Sequence, residues 1–463
     1  MKEKMFFYYT NDLHSHFENW TKIVSYFEKQ KNIRKRGNES YWLLDIGDHI
    51  DRSHPITEAM MGKANVQLLN HAEYNLATIG NNEGITLDYN DLFHLYDEAN
   101  FEIVCANLES TKGQNPAWLK TSTQFISPSG LRIGLFGLTA PFNAFYNLLG
   151  WHINSPNEAI DSVLSDLRHD NDIVVLLSHL GINEDEEIAR QYPSIDVIIG
   201  GHTHHLFKDG EYIENTLLTA AGKHGLHVGE VILTWDHEQK KLIEKEAYAI
   251  NIDHQVEHAE TKKHLEHLDE NACQTLDQTI IYLENKLEVN WFDETYLMNK
   301  LTETLQEWTK ADCAMLNAGV LLNSLGPGKV TSRDVHRICP HPINPCLVEL
   351  TGHEILEVIR VSYTKAFMEL ELKGFGFRGK MIGKMIFSNI DVLAKQRQSG
   401  EFQVIDVKIN GEPLSLDKVY KVATADTFTF GPLLPEIARS NFKEYFMPEF
   451  LRDLLIHTLK TKI

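Results

Sequence analysis

Cysteine is scarce in this chain. Its 463 residues include five, Cys105, Cys273, Cys313, Cys339 and Cys346, an odd number with no CxxC pair. That argues against a disulfide framework and for reduced thiols in the cytoplasm. Long apolar runs are also missing: no stretch of 18 apolar residues exists, which argues against a transmembrane helix. The first apolar run, Met5–Tyr9, is five residues long and polar residues follow at once, too short for a secretory leader. A cytoplasmic protein is the expectation. Basic charge is in deficit, 44 Lys and Arg against 65 Asp and Glu, a net charge of −21. Neutralising phosphates along a duplex, or docking on an anionic membrane, needs clustered Lys and Arg, so a nucleic-acid duplex and a membrane are poor partners. There is no internal repeat or low-complexity tract, and nothing that sets an oligomeric state.

What is present is the composition of a folded protein, 43% hydrophobic and 24% charged. The length exceeds one ordinary core, so two domains are expected. The first half alternates short apolar runs (5–9, 41–46, 74–79, 101–106, 131–138, 172–178 and 195–200) with polar segments long enough for helices. Runs of four to eight β-branched or aromatic residues bounded by Gly, Asp, Asn or His read as buried strands of a layered α/β domain. Residues 227–252 read as a hairpin turning near Asp236–Gln239. From Asp253 the texture changes. Leu265, Leu268, Ala272, Leu276, Ile280 and Leu283 step by three and four, which predicts a long connecting helix. The expected division is 1–252, a connecting helix over 253–290, and a mixed α/β domain over 291–463. The second domain includes a helix capped by Thr351.

Each conspicuous polar cluster of the first half follows a predicted strand, where open α/β sheets bind ligands. The clusters are Asp12-Leu13-His14, Gly47-Asp48-His49-Ile50-Asp51, Gly80-Asn81-Asn82-Glu83, Ser178-His179, and Gly200-Gly201-His202-Thr203-His204. Taken singly, an Asp-x-His is more often a turn than a ligand, Asp48 suits a helix cap, Asn81 suits a left-handed turn, and a lone His179 suits the core. Two histidines one residue apart, His202 and His204, project to one side of an extended chain. Turns alone do not account for all five in this order. Imidazole, carboxylate and amide oxygen suit Zn, Mn, Fe or Co. Two such ions roughly 3.5–4 Å apart can share a carboxylate, hold a hydroxide between them and act on phosphoryl oxygens.

The DxH, GDxxD, GNxE, H and GHxH blocks resemble those of the calcineurin-like metallophosphoesterases. Ala311-Asp312 with Asn317-Ala318-Gly319, Gly328-Lys329-Val330-Thr331, Asn344, Thr351-Gly352 and Tyr420-Lys421-Val422-Ala423-Thr424 resemble the C-terminal domain of 5′-nucleotidases. The resemblance covers nearly the whole chain. It implies a 5′-nucleotidase or UDP-sugar hydrolase type of enzyme, with a layered α/β/β/α catalytic domain and a substrate-recognition domain. It also implies a site for two divalent ions, one on Asp12, His14, Asp48 and His204, the other on Asp48, Asn81, His179 and His202. The substrate is expected to be a nucleotide or nucleotide sugar.

The family usually reads Asn-His-Glu after the third strand, with an Asp two residues later; here those positions are Asn82 and Ile85. The His–Asp dyad that contacts phosphate is absent, and a placed donor of that kind is worth about 10²–10⁴ in rate. Asn82 can still donate a hydrogen bond. His49, His54 and His205 are candidate substitutes. Alternatively the leaving group needs no acid, as in a diphosphate, or the chain binds nucleotides without turnover. Cyclic nucleotides or another anionic ester are further options. The family's NxGGIR block ends here in Leu322, without its Arg. Aromatic contacts are better supplied, by Phe375, Phe377 and Arg378 in a glycine-flexed loop and by Phe428 and Phe430. Stacking on a base is worth about 1–3 kcal/mol; the competing role for each Phe is ordinary core packing.

Overall fold

The computed structural model describes residues 2–398, 402–431 and 433–463. The chain divides into two compact units, Met1–Ala272 and Cys273–Ile463.

Two sheets build the first unit. One has seven strands, in the order Lys241–Asn251, His227–Asp236, Lys2–Thr10, Ser40–Asp45, Leu76–Ala77, Glu102–Val104 and Leu119–Lys120. The other has six, in the order Glu211–Ile213, Thr216–Thr219, Val197–Gly200, Ile173–His179, Arg132–Thr139 and Ser122–Ile126. Strand alternation explains the layering. Met5, Phe7 and Tyr9 join Leu44, Leu135, Val175, Leu177, Val197 and Val231 in the core between the sheets. Tyr8 points to the other face, against Tyr26 and Phe27 of the Trp20–Gly37 helix. Phe136, Leu138, Val174, Leu176 and Ile198 turn the second sheet's outer face onto Ile160 and Leu164 of the Pro156–Asp170 helix and Ile188 of the Ile182–Gln191 helix. Helices on both outer faces of two stacked sheets make the α/β/β/α sandwich. Each buried side chain of this size contributes about 1.5–3 kcal/mol.

The parallel strands set the site. Lys2–Thr10 pairs with Ser40–Asp45 in a register that puts Thr10 opposite Asp45, and Ile173–His179 pairs with Val197–Gly200 with Ser178 opposite Gly200. Their carboxyl ends therefore stop at the same level within each sheet.

The expected long helix is shorter than its apolar spacing suggested. It spans Ala259–Leu276, and Thr279–Leu283 is a strand paired antiparallel with Gly328–Thr331. Ile280 and Leu283 kept helical spacing by coincidence; partner hydrogen bonds and packing against the second unit's core decided their conformation. That unit centres on a five-stranded sheet, in the order Met385–Ser388, Cys313–Asn317, Val419–Ala425, Pro345–Thr351 and Lys443–Tyr445. Thr351 caps the Gly352–Ser362 helix: its hydroxyl accepts from Glu354 N–H, and Glu354 Oε2 accepts from Thr351 N–H at 2.7 Å. Among the described residues no helix is long and apolar enough to cross a membrane.

Candidate metal centre

Five separate strand ends meet at one edge of the first unit. The loops after Thr10 and Asp45 are zipped together by backbone bonds, Asp12 N–H to Gly47 O at 3.1 Å, His14 N–H to Asp48 O at 2.9 Å and Ser15 N–H to His49 O at 3.0 Å. Gly47 and Gly80 cross so closely that a Cβ on Gly47 would lie 2.3 Å from Gly80 N. Asp12, His14, Asp48, His202 and His204 all adopt positive φ, between 49° and 69°. Such backbone is unfavourable for side chains larger than glycine, and its concentration in one cluster marks a functional site.

The side chains converge. Oδ1 of Asp12 lies 3.5 Å from His204 Nε2 and 3.8 Å from His14 Nε2, and those two nitrogens are 3.2 Å apart. Asp48 faces two ways: Oδ2 is 3.7 Å from His14 Nε2, and Oδ1 is 3.3 Å from His179 Nε2. Asn81 Oδ1 lies 2.8 Å from His202 Nδ1, and the His202 ring is 5.4 Å from that of His179. Thus all seven residues picked from the sequence lie in one constellation. Two of its subsets, Asp12–His14–His204 and Asp12–Asp48–His179, are tight enough to hold an ion.

The electrostatics fit a cation. Asp12 and Asp48 are buried, and the ion pairs they form are with histidines. Burial alone would raise their pKa values. For Asp48 the His179 ring reverses that and holds the carboxylate far below its usual range. For Asp12 the hydrogen bond from His204, then the charge of His179, does the same. Burial would keep His179 neutral, but the Asp48 carboxylate lifts it to about 10. Its Nε2, fully buried, lies between the carboxylates of Asp48, at 3.3 Å, and Asp12, at 4.0 Å, while Nδ1 is fixed by the Ile46 carbonyl at 2.7 Å. A buried imidazole nitrogen aimed at two buried carboxylates is a donor set for a dication.

Other residues support the constellation. Glu83 is buried and accepts N–H bonds from Asp48, Ile50 and Gly80, each at 2.9 Å. Burial, then the charge of Asp48, raises its pKa to about 7. Asn11 clamps Asp12 Oδ2 at 2.7 Å. His224, at positive φ, donates its N–H to the Asp12 carbonyl, and its ring stacks on His16 at 3.7 Å. Glu83 and His16 stand within or beside sequence blocks that could have flagged them. Asn11 and His224 had no such signal.

Asn82 departs from the expected role. Its Nδ2 donates to the Ile50 carbonyl at 3.0 Å and lies 2.9 Å from His14 Nδ1, and its backbone N–H donates to Asp48 Oδ1 at 2.8 Å. One amide hydrogen goes to the Ile50 carbonyl and the amide lies against the His14 ring, so Asn82 supports His14 and Asp48. The three candidate substitutes have different surroundings. His49 is buried against Trp20, its pKa pushed down to about 3 by burial. His54 caps the Pro55–Met60 helix, its Nδ1 accepting from Ile56 N–H. The ring of His205 lies on the Thr203 hydroxyl at 2.9 Å. Asp51 Oδ2 is 3.8 Å from His14 Nδ1, a carboxylate in position to orient that ring.

In the second unit the aromatic candidates separate. Phe377 and Phe428 are buried in the core, Phe377 stacked on His341 at 5.1 Å. They are 3% and 0% exposed, so these two pack in the core and present no face for a base. Phe375 is 49% exposed and faces Phe430 with ring centroids 6.1 Å apart and planes 11° from parallel. Its positive φ of 51° turns it outward, and Thr427 Oγ1 holds its carbonyl at 2.9 Å. Arg378 is half-buried; its N–H donates to His341 Nδ1, and its guanidinium reaches the Phe377 carbonyl at 3.3 Å. Leu322, at the missing Arg position, is half-buried too.

Fold and site together define a metal-dependent phosphoesterase. Residues 5–206 match the calcineurin-like phosphoesterase family, and residues 274–431 match the family described as 5′-nucleotidase, C-terminal domain. Across 98% of its length the chain is 43% identical to YunD, an uncharacterized metallophosphoesterase of Bacillus subtilis, 99% of which is covered. It is 23% identical to a 5′-nucleotidase of Vibrio cholerae over 78% of this chain and 76% of that protein. The crystal structure of a 5′-nucleotidase precursor from Thermus thermophilus shares the fold, with a TM-score of 0.61 at 20% identity, covering 99% of this chain and 96% of that one. The chain belongs to the calcineurin-like metallophosphoesterases that carry a 5′-nucleotidase-type C-terminal domain.

Proposed function

We propose that the protein is a dimetal phosphohydrolase of nucleotides or nucleotide sugars, acting in the cytoplasm. The observation that carries the reading is Asp48, buried, with one carboxylate oxygen toward His14 and the other toward His179. Asp12, His14, Asp48 and His204 would hold one ion, and Asp48, Asn81, His179 and His202 the other. Bound dications supply Lewis-acid charge for phosphoryl oxygens and a nucleophile at neutral pH. The chain's own residues do the rest. Glu83 fixes the turn that carries Asp48, Ile46 and Asn82 hold the rings of His179 and His14, and Asn11 orients Asp12. Phe375 and Phe430 are proposed to hold the base, and a planar ring entering between them requires the pair to part. Arg378 is proposed as an anion contact. The family's 5′-nucleotidases support a nucleotide substrate, and the odd number of cysteines without a CxxC pair supports the compartment.

Asn82 and Ile85 offer no proton to a leaving group. That favours esters whose leaving group departs as a stable anion, so a nucleoside diphosphate linkage is preferred over a simple monophosphate. Purified protein loaded with Mn²⁺, Co²⁺ or Zn²⁺ is assayed on a panel of nucleoside monophosphates, dinucleotides, nucleotide sugars and cyclic nucleotides. Turnover highest on diphosphates and absent in Asp48→Ala is the expected result. A panel with no turnover above Asp48→Ala ends the enzyme reading. The second reading, nucleotide binding without hydrolysis, is favoured by Asn82 and Ile85 at the dyad positions; it predicts calorimetric affinity without product.

A further inference from the structure

The Arg132–Thr139 strand ends in a segment, Ala140 to Tyr146, without a charged side chain and therefore without any chemical signal in the sequence. It nevertheless reaches the metal centre at two points. The Phe142 ring lies 5.6 Å from the ring of His202, tilted by 53°. Tyr146, fully buried, fills the volume over Gly84: a Cβ on Gly84 would lie 2.1 Å from Tyr146 Oη and 2.3 Å from its Cε1. Gly84 belongs to the six-residue Asn81–Thr86 helix, whose first residue is Asn81. Asn81 and His202 are themselves joined, Oδ1 to Nδ1 at 2.8 Å. The segment is in turn pinned to the Trp151–Ile153 strand, because Asn143 exchanges two 2.8 Å bonds with the Ile153 backbone.

We infer that Phe142 and Tyr146 are positioning residues for one half of the metal centre, the half held by Asn81 and His202, and that Gly84 is the complement that admits Tyr146. This rests on the two-ion reading above. A helix of six residues has little stability of its own, so its placement depends on what packs against it. Tyr146 acts on the helix through its bulk: its hydroxyl faces the buried Thr139 hydroxyl, and no hydrogen bond from it to residues 81–86 is seen among the described residues. Tyr146→Phe therefore keeps the packing over Gly84. Asp12 and His204 lie on other loops; His14 and Asp48 meet the same helix through Asn82 and Glu83, so the half held by Asn81 and His202 depends on this contact most.

The test compares wild type with Tyr146→Ala, Tyr146→Phe and Phe142→Ala, each checked for an intact thermal transition. Hydrogen exchange of the metal-free proteins reads placement directly: amide protection over residues 80–86 falls in Tyr146→Ala and is kept in Tyr146→Phe. Mn²⁺ titration against a competing chelator reads the consequence. One of two Mn²⁺ affinities drops about 10–100-fold in Tyr146→Ala, the scale of lost support around a metal ligand, and the other falls distinctly less. Phe142→Ala moves the same affinity by less. Unchanged protection and two unchanged affinities in Tyr146→Ala overturn the inference, as does an equal loss at both ions. If Tyr146→Ala fails to fold, Phe142→Ala alone decides, and two unchanged affinities there overturn it. A wild-type protein that binds only one Mn²⁺ while Tyr146→Ala still exposes residues 80–86 removes the two-ion reading and leaves the positioning role standing.

Discussion

The metal centre and the aromatic loop were both selected from the sequence, and they fared differently. Seven residues from five strand ends in the first unit meet within one constellation. In the second unit, two of the four chosen phenylalanines face each other and two lie in the core. The difference follows from what each residue type tolerates. A buried carboxylate or imidazole needs a partner, so a polar residue inside a strand-end turn is committed to a site. Phenylalanine is satisfied by the core and by a stacking partner alike. Alternation in Phe375-Gly376-Phe377 and Phe428-Thr429-Phe430 marks which pair shares a direction only once the backbone is known.

Substitutions can break or sharpen this contrast. The largest effect is expected at Asp48. Asp48→Ala removes the shared carboxylate and lowers turnover by at least about 10²–10³-fold, measured as kcat on the best substrate of the panel. Phe428→Ala in the core costs about 3–5 kcal/mol of stability, read by denaturant unfolding. Phe375→Ala, at the exposed partner, costs about 1–3 kcal/mol in nucleotide binding, read as KM, with little change in stability. If Phe375→Ala and Phe428→Ala have the same profile, the division of the aromatics is wrong. Asn82→His with Ile85→Asp restores the missing dyad and raises kcat on monophosphates by about 10²-fold; no rise means the dyad does not limit this enzyme.

A separate expected effect is electrostatic. Asp426 precedes the aromatic pair, buried, with Oδ2 accepting from Asn344 N–H at 3.1 Å, and burial lifts its pKa from 3.8 to about 7. The folded state holds this proton more tightly than the unfolded chain. The stability it confers is therefore greatest relative to the ionised form at low pH, and it is lost as pH rises from about 4 to about 7. Asp426→Asn flattens that part of the stability profile, measured by unfolding at a series of pH values. An unchanged slope assigns the pH dependence elsewhere.

Much of the first unit was legible. Its strands are short, nearly continuous apolar runs, and its candidate ligands sit where those runs end. The connecting helix was over-extended because Ile280 and Leu283 match a helical period that Thr279–Leu283 does not adopt; a strand partner about 50 residues away in sequence settled it. Asn82 was read as a donor because its side chain can donate. How its amide is engaged depended on Ile50 and His14, which are remote in sequence. Tyr146 was invisible, since its role is volume and its complement is a glycine.

By itself the sequence determined the order of strands, the donor atoms at their ends and the absence of a His–Asp dyad, because periodicity and residue chemistry are local. Only the tertiary structure decided that Asp48 faces two histidines, how Asn82 is engaged, that Phe375 and Phe430 are the facing pair, and that Phe142 and Tyr146 brace the helix of Asn81 and the ring of His202. Those are relations between side chains far apart along the chain, set by how two sheets stack and where their loops cross.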